Sequence, residues 1–263
     1  MFGFGRLLVA LLAFTLLAPG VAAADSHSMQ MDDDSMQMGG GDMMRMMDDA
    51  LADLERLAGE EFEIEYVNQI IPHHQGALEM AQAVVDRAPN QEVRDAAARI
   101  IEDQQREIDE LTTFLREKYG RAVQPDQRMA MPASMVEQMN NADPATAEKM
   151  FLLGMREHHE IAIRMGEIAL RKAQSQEILS QAENMVGSQR AEQEEFAGYL
   201  RDFYGIEAPE PTGDMEAAMQ LAMDSGMQMP ETGGPSLPGV AVLMAAVLAT
   251  LAAGAYVARK VFG

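Results

Sequence analysis

Tyr66 to Gln82 reads YVNQIIPHHQGALEMAQ, and Phe151 to Leu170 reads FLLGMREHHEIAIRMGEIAL. At an offset of 85 residues the two stretches superpose, Tyr66 on Phe151, His73-His74 on His158-His159 and Met80 on Met165. The register continues without a gap through Gln104 and Gln189 to Tyr119-Gly120 and Tyr204-Gly205. Two units, Phe62 to Gly120 and Ala147 to Gly205, are therefore one supersecondary element written twice.

Each unit reads as a helical hairpin. A break falls at the same place in both copies, Pro89-Asn90 and Gln174-Ser175, where Asn90 and Ser175 are expected N-caps followed by Glu92 and Glu177 in the first turn. Gly120 and Gly205 stand where a left-handed C-terminal cap belongs. The second helices carry apolar stripes at helical spacing, Val93, Ala97, Ile100, Ile108, Leu111 and Leu115 in one, Ile178, Ala182, Met185, Phe196 and Leu200 in the other. Two hairpins with one apolar face each close most simply into an all-α four-helix bundle over residues 62–205.

The flanks read differently. Residues 1–24 have the form of a signal peptide, Arg6 before an apolar run from Leu7 to Leu17 and small residues Ala22 to Ala24 at the cleavage position. Residues 25–61 combine a Met-, Asp- and Gly-rich segment expected to be disordered up to Gly41 with an amphipathic leader helix over Met43, Met46, Met47, Leu51, Leu54 and Leu57. Arg121 to Thr146 connects the units, with a short helix expected over Met131, Met135 and Met139. Residues 206–238 read as a tether rich in Pro, Gly and Met. Residues 239–258 form an uncharged apolar span of membrane-crossing length, and 259–263, with Arg259 and Lys260, a cytoplasmic tail. The expected location is the outer face of the cell membrane. Met229-Pro230-Glu231-Thr232-Gly233 before the span resembles a sortase signal, which makes cell-wall anchoring an alternative.

Composition narrows the chemistry. A net charge of −22 excludes nucleic acid as the partner, since phosphate binding needs Lys and Arg. There is no cysteine, hence neither disulfide nor thiolate site, but there are 24 methionines. A thioether is the soft ligand left when thiols are absent.

The candidate metal ligands are His73, His74 and Met80 in the first unit and Met155, His158, His159 and Met165 in the second, with Met29, Met31, Met36 and Met38 of the polar N-terminal segment as a weaker set. His73 and Met80, seven residues apart, share a helix face about 10 Å apart along the axis. Met155 lies one turn before the second pair, where the first unit has Ile70, so the second site is expected to be the stronger. No carboxylate stands three or four residues from any of these histidines, and neither Glu-x-x-His nor His-Glu-x-x-His occurs there. Imidazole with thioether suits copper(I), and silver(I) is a second soft candidate. The competing reading is packing: methionines fill gaps in bundles and buried histidines occur in cores. Gln104 and Gln189 are expected to hydrogen-bond the free imidazole nitrogens. Met131, Met135, Met139 and Met215, Met219, Met223 are expected to be packing stripes, and Pro72 to kink the first helix.

The two quoted segments, with their shared HH-x5-M core, resemble the signature segments of the uncharacterised-domain family numbered 305, over about Phe62 to Gly205. The resemblance implies a ferritin-like four-helix fold and extracytoplasmic copper binding. The expected function is therefore a non-enzymatic, membrane-tethered protein that sequesters copper(I) or passes it to a metal-transfer partner protein. A ferritin-like metal oxidase and a surface scaffold module without metal are the alternatives.

Overall fold

The computed structural model describes residues 40–225, which hold seven α-helices and no strand. The helices are α1 (Gly40–Arg56), α2 (Gly59–Gln82), α3 (Gln91–Tyr119), α4 (Ala133–Asn141), α5 (Pro144–Lys172), α6 (Gln176–Tyr204) and α7 (Met215–Asp224). The described residues are all-α as expected. Helices α2 with α3, and α5 with α6, form the two hairpins, and α2 packs on α5 to join them. The expected signal peptide, the N-terminal methionines Met29, Met31, Met36 and Met38, the 239–258 span and the sortase-like motif lie outside the described residues. Among the described residues no helix is long and apolar enough to cross a membrane.

The hairpins end as their glycines require. Gly120 and Gly205 sit at φ 62° and 65°, and their N–H groups donate to the carbonyls of Arg116 and Arg201. The helix starts differ from expectation: neither the Asn90 nor the Ser175 side chain caps its own helix. The cap comes from the other hairpin. Glu148 of α5 accepts from Asn90 N at 2.9 Å and Nδ2 at 2.6 Å, while Glu63 of α2 accepts from Gln174 N at 2.7 Å, Ser175 N at 2.6 Å and the Ser175 hydroxyl. Each carboxylate also accepts a phenol from the far end of its own hairpin, Tyr119 on Glu63 at 2.6 Å and Tyr204 on Glu148 at 2.9 Å. A carboxylate at a helix N-terminus satisfies orphan N–H groups and opposes the positive end of the macrodipole. Because the exchange is reciprocal, neither hairpin is fully satisfied alone.

Helix α2 runs through Pro72 without ending. Proline has no N–H for the carbonyl of Asn68, and Asp126 N of the connector donates to it at 2.9 Å, while Asn68 Oδ1 accepts from Gln124 N at 2.8 Å. At the register position of Pro72 the second hairpin has Glu157. Its carboxylate, 5% exposed, accepts from the backbone of Thr212, Gly213 and Asp214 at 2.6, 2.7 and 3.2 Å. This explains a departure from the expected tether: the stretch 206–238 contains α7, which Glu157 pins against α5. Met215 and Met219 are buried there. In the connector, Met135 and Met139 are buried on α4 as expected of a packing stripe. The leader helix α1 begins at Gly40, inside the segment expected to be disordered. It buries Met43, Met47, Leu51 and Leu54 and is held to α5 by Asp48–Arg164 and Glu55–Arg171.

Burial pushes the Glu63 carboxyl up, but the hydroxyl and backbone hydrogen bonds it receives outweigh burial and bring it down to about 2. A carboxylate depressed in the folded state stabilises above its unfolded pKa of 4.5 and loses that contribution as pH falls toward 2. Replacing Glu63 by Ala leaves buried donors of α6 and Tyr119 without an acceptor and should lower stability by about 3 kcal/mol at neutral pH. Urea denaturation followed by helical circular dichroism, at pH 7 and at pH 3, should show a difference between wild type and variant that shrinks in acid. A difference equal at both pH values would show that the ionised carboxylate does not hold the hairpins.

Candidate metal centre

Helices α2 and α5 carry the four histidines to one place. The rings of His73 and His158 stack across the interface with centroids 3.7 Å apart and 33° between planes, and each stands 6.4 Å from its neighbour, His74 or His159. All four are nearly closed to solvent, at 1%, 0%, 4% and 0% exposed in sequence order. The two sites expected from the sequence are thus one cluster, so the expectation of a separate, stronger second site does not fit the geometry.

The outer rings are oriented by carboxylates from the second helix of their own hairpins. His74 Nε2 donates to Glu107 Oε2 at 2.7 Å. Burial pushes Glu107 up, but the hydrogen bonds it accepts from His74 and Gln181 help hold the carboxyl below its usual range, so Glu107 is an acceptor only. Gln181 Nε2 also donates to Glu107, at 3.2 Å, and Tyr66 donates to Gln181 Oε1 at 2.7 Å. On the other side His159 Nε2 lies 2.7 Å from Glu192 Oε2, an ion-pair distance without hydrogen-bond alignment. The carboxylate-poor surroundings expected from the sequence are corrected here, because the acids arrive from across the hairpin. Gln104 and Gln189, expected in this role, are buried but their Oε1 atoms have no partner. Glu107 and Glu192 occupy the same register position in the two units, and that coincidence could have pointed to them.

A ring that gives its Nε2 proton to a carboxylate turns its Nδ1 lone pair the other way. The Nδ1 atoms of His74 and His158 and both nitrogens of His73 and His159 are buried without a hydrogen-bond partner. Each such atom costs roughly 1–3 kcal/mol when unpaired. Burial, reinforced by the neighbouring imidazoles, holds His73 and His158 well below the ordinary histidine pKa and hence neutral, the state a ligand must have. The donor set fits a soft or borderline ion. Its chemistry rather than its present geometry carries that fit: among the described residues no group of three or more His, Asp and Glu side chains, the four histidines included, is placed to hold a metal ion.

The methionines separate. Met155 and Met165 are buried on α5, one turn before and two turns after the His158 position. Met80 does not return to His73. Its methyl packs at Gly154 of α5 with those of Met215 and Met219. A surface groove of about 820 Å³ between α3 and α6, lined by Leu111, Phe114 and Gln181 with Glu110 and Glu177, reaches the hydrogen-bond chain that ends on His74.

Three overlapping stretches, residues 16–115, 66–200 and 148–234, match the Domain of unknown function (DUF305) family, so the chain belongs to that family. Among solved structures, a DUF305 fragment from Deinococcus radiodurans is 25% identical with a TM-score of 0.50, covering 55% of this chain and 98% of that one. CopM in the Cu(I)-bound form is 26% identical with a TM-score of 0.49, covering 54% and 98%. A DUF305 protein from Streptomyces coelicolor is 24% identical with a TM-score of 0.48, covering 52% and 90%. No curated protein matches the chain.

A histidine held neutral in the folded state stabilises fully above its unfolded pKa of about 6.5, and that contribution is lost as pH falls below it. Metal-free wild type should therefore lose stability between about pH 7.5 and pH 5.5 relative to a variant carrying His73→Gln and His158→Gln. Urea denaturation of both proteins at the two pH values measures it. Parallel pH slopes would contradict neutral burial of these rings.

Proposed function

We propose that this DUF305 chain is an exported, membrane-tethered protein that binds copper(I) through His73, His74, His158 and His159, assisted by the methionines around them, and sequesters the ion or hands it to a partner protein without turning it over. The observation that carries the reading is the group of buried, unpartnered imidazole nitrogens at the α2–α5 interface. Packing alone gives no reason to bury lone pairs with nothing to bond; an ion that needs neutral nitrogen donors supplies one. An ion would be held once the inner rings, stacked on one another here, turned toward it. Export and anchoring rest on the sequence of residues 1–24 and 239–258 and place the bundle where copper arrives without cytosolic chaperones.

Glu107 and Glu192 give the metal-oxidase alternative its one structural argument, since redox centres in bundles use carboxylates. Both acids stand beside the Nε2 atom of a histidine, and the bond to Glu107 fixes the His74 ring and raises its basicity. That favours orientation of ligands over bridging of metals. Cu(I) is favoured over Zn²⁺ because imidazole together with thioether is a soft donor set.

Competition with a colorimetric Cu(I) chelator tests the assignment on the purified full chain. Wild type should compete, and Zn²⁺ in excess should displace little copper. His73→Ala with His158→Ala should weaken binding more than Glu107→Ala with Glu192→Ala, for which about 10–100-fold is expected. Thermal melts run alongside separate loss of ligands from loss of fold. Unchanged competition by the folded histidine variant would leave the scaffold reading in place.

A further inference from the structure

Gly154 is a second unusual position in this bundle. This glycine stands in the middle of α5, where glycine is unfavourable by roughly 1 kcal/mol relative to alanine. A Cβ built on it would meet three methionine methyls, Met80 Cε at 3.0 Å, Met219 Cε at 3.1 Å and Met215 Cε at 3.7 Å. The three side chains are 0%, 2% and 1% exposed. They come from two elements distant in sequence, α2 and α7, and meet one turn before His158 on the same helix face.

We propose that Met80, Met215 and Met219 form a thioether site for a soft monovalent cation beside the histidine cluster, with α7 as the piece that completes it. This deepens the copper reading and rests on it only for the identity of the ion. Two features argue that the convergence is built. Helix α7 has ten residues, too few to be stable alone, and it is clamped at both ends onto α5. Glu157 gathers the three N–H groups before it, and Lys149 Nζ donates to Ser225 O at 3.3 Å and Oγ at 3.1 Å after it. The clamp presents Met215 and Met219, four residues apart, to Gly154, while Met223 at the next such position is 44% exposed. Second, the site has no twin. The register position of Gly154 in the first hairpin is Gln69, whose side chain bonds the Ala50 carbonyl at 3.1 Å, so the gap is particular to this end of the bundle. Three uncharged thioethers with no proton to lose are donors suited to Cu(I) or Ag(I).

The test uses the full chain labelled with ¹³C at methionine methyls and ¹⁵N in histidine rings, titrated with Ag⁺ as the diamagnetic soft ion. Met80→Leu, Met215→Leu and Met219→Leu, each nearly volume-conserving, assign the three methyl signals. The expected result is that these three methyls shift together on binding, whether or not the ring nitrogens respond. If the rings respond and these methyls do not, the thioether site is overturned and the histidine reading stands. If the methyls respond and the rings never do, the histidine reading falls and this site stands. Silence from both overturns both.

Discussion

Two buried carboxylates hold this molecule in one arrangement. Glu63 and Glu148 sit on the first helices of the two hairpins, and each caps the second helix of the other while accepting a phenol from its own. Removing a carboxylate from water is unfavourable, and only a full set of donors offsets it. The donors are complete only when both hairpins are docked in this register. That register sets α2 against α5 and brings His73 against His158. The metal reading is thus a consequence of how the hairpins are joined.

The two ends of the symmetry differ where single residues differ. Pro72 frees a carbonyl that the connector takes up, and Glu157 at the equivalent place holds the turn before α7 instead. Tyr66 and Gln181 support Glu107 in the first hairpin; their register counterparts, Phe151 and Ala96, have no polar group to offer Glu192. A duplicated scaffold has in this way acquired one side with a groove leading to the His74 chain and another side closed by the thioethers of α7.

Much of this was legible in the sequence. The offset repeat, the apolar stripes and the glycines after Tyr119 and Tyr204 depend on local rules, and the hairpins follow them. The histidines were singled out as ligands for the same reason. What escaped depends on pairing between helices. Helical period shows which residues share a face but not which helix that face meets, so it pairs Met80 with His73 and does not show that its methyl packs at Gly154 of α5. Glu107 lies 33 residues from His74 and entered no local pattern. Helix α7 looked like tether because its neighbours are proline and glycine, and what holds it, Glu157, is visible only in the folded chain. Asn90 and Ser175 fit the rule for N-caps, yet their side chains donate instead to carboxylates of the opposite hairpin.

The central claim is that copper(I) is held by the buried imidazoles, and X-ray absorption at the copper edge of the loaded full chain tests it most directly. The account predicts a first shell mixing nitrogen with sulfur, and the outer-shell scattering that imidazole rings give. A shell of sulfur alone, or of light atoms without imidazole scattering, would contradict it.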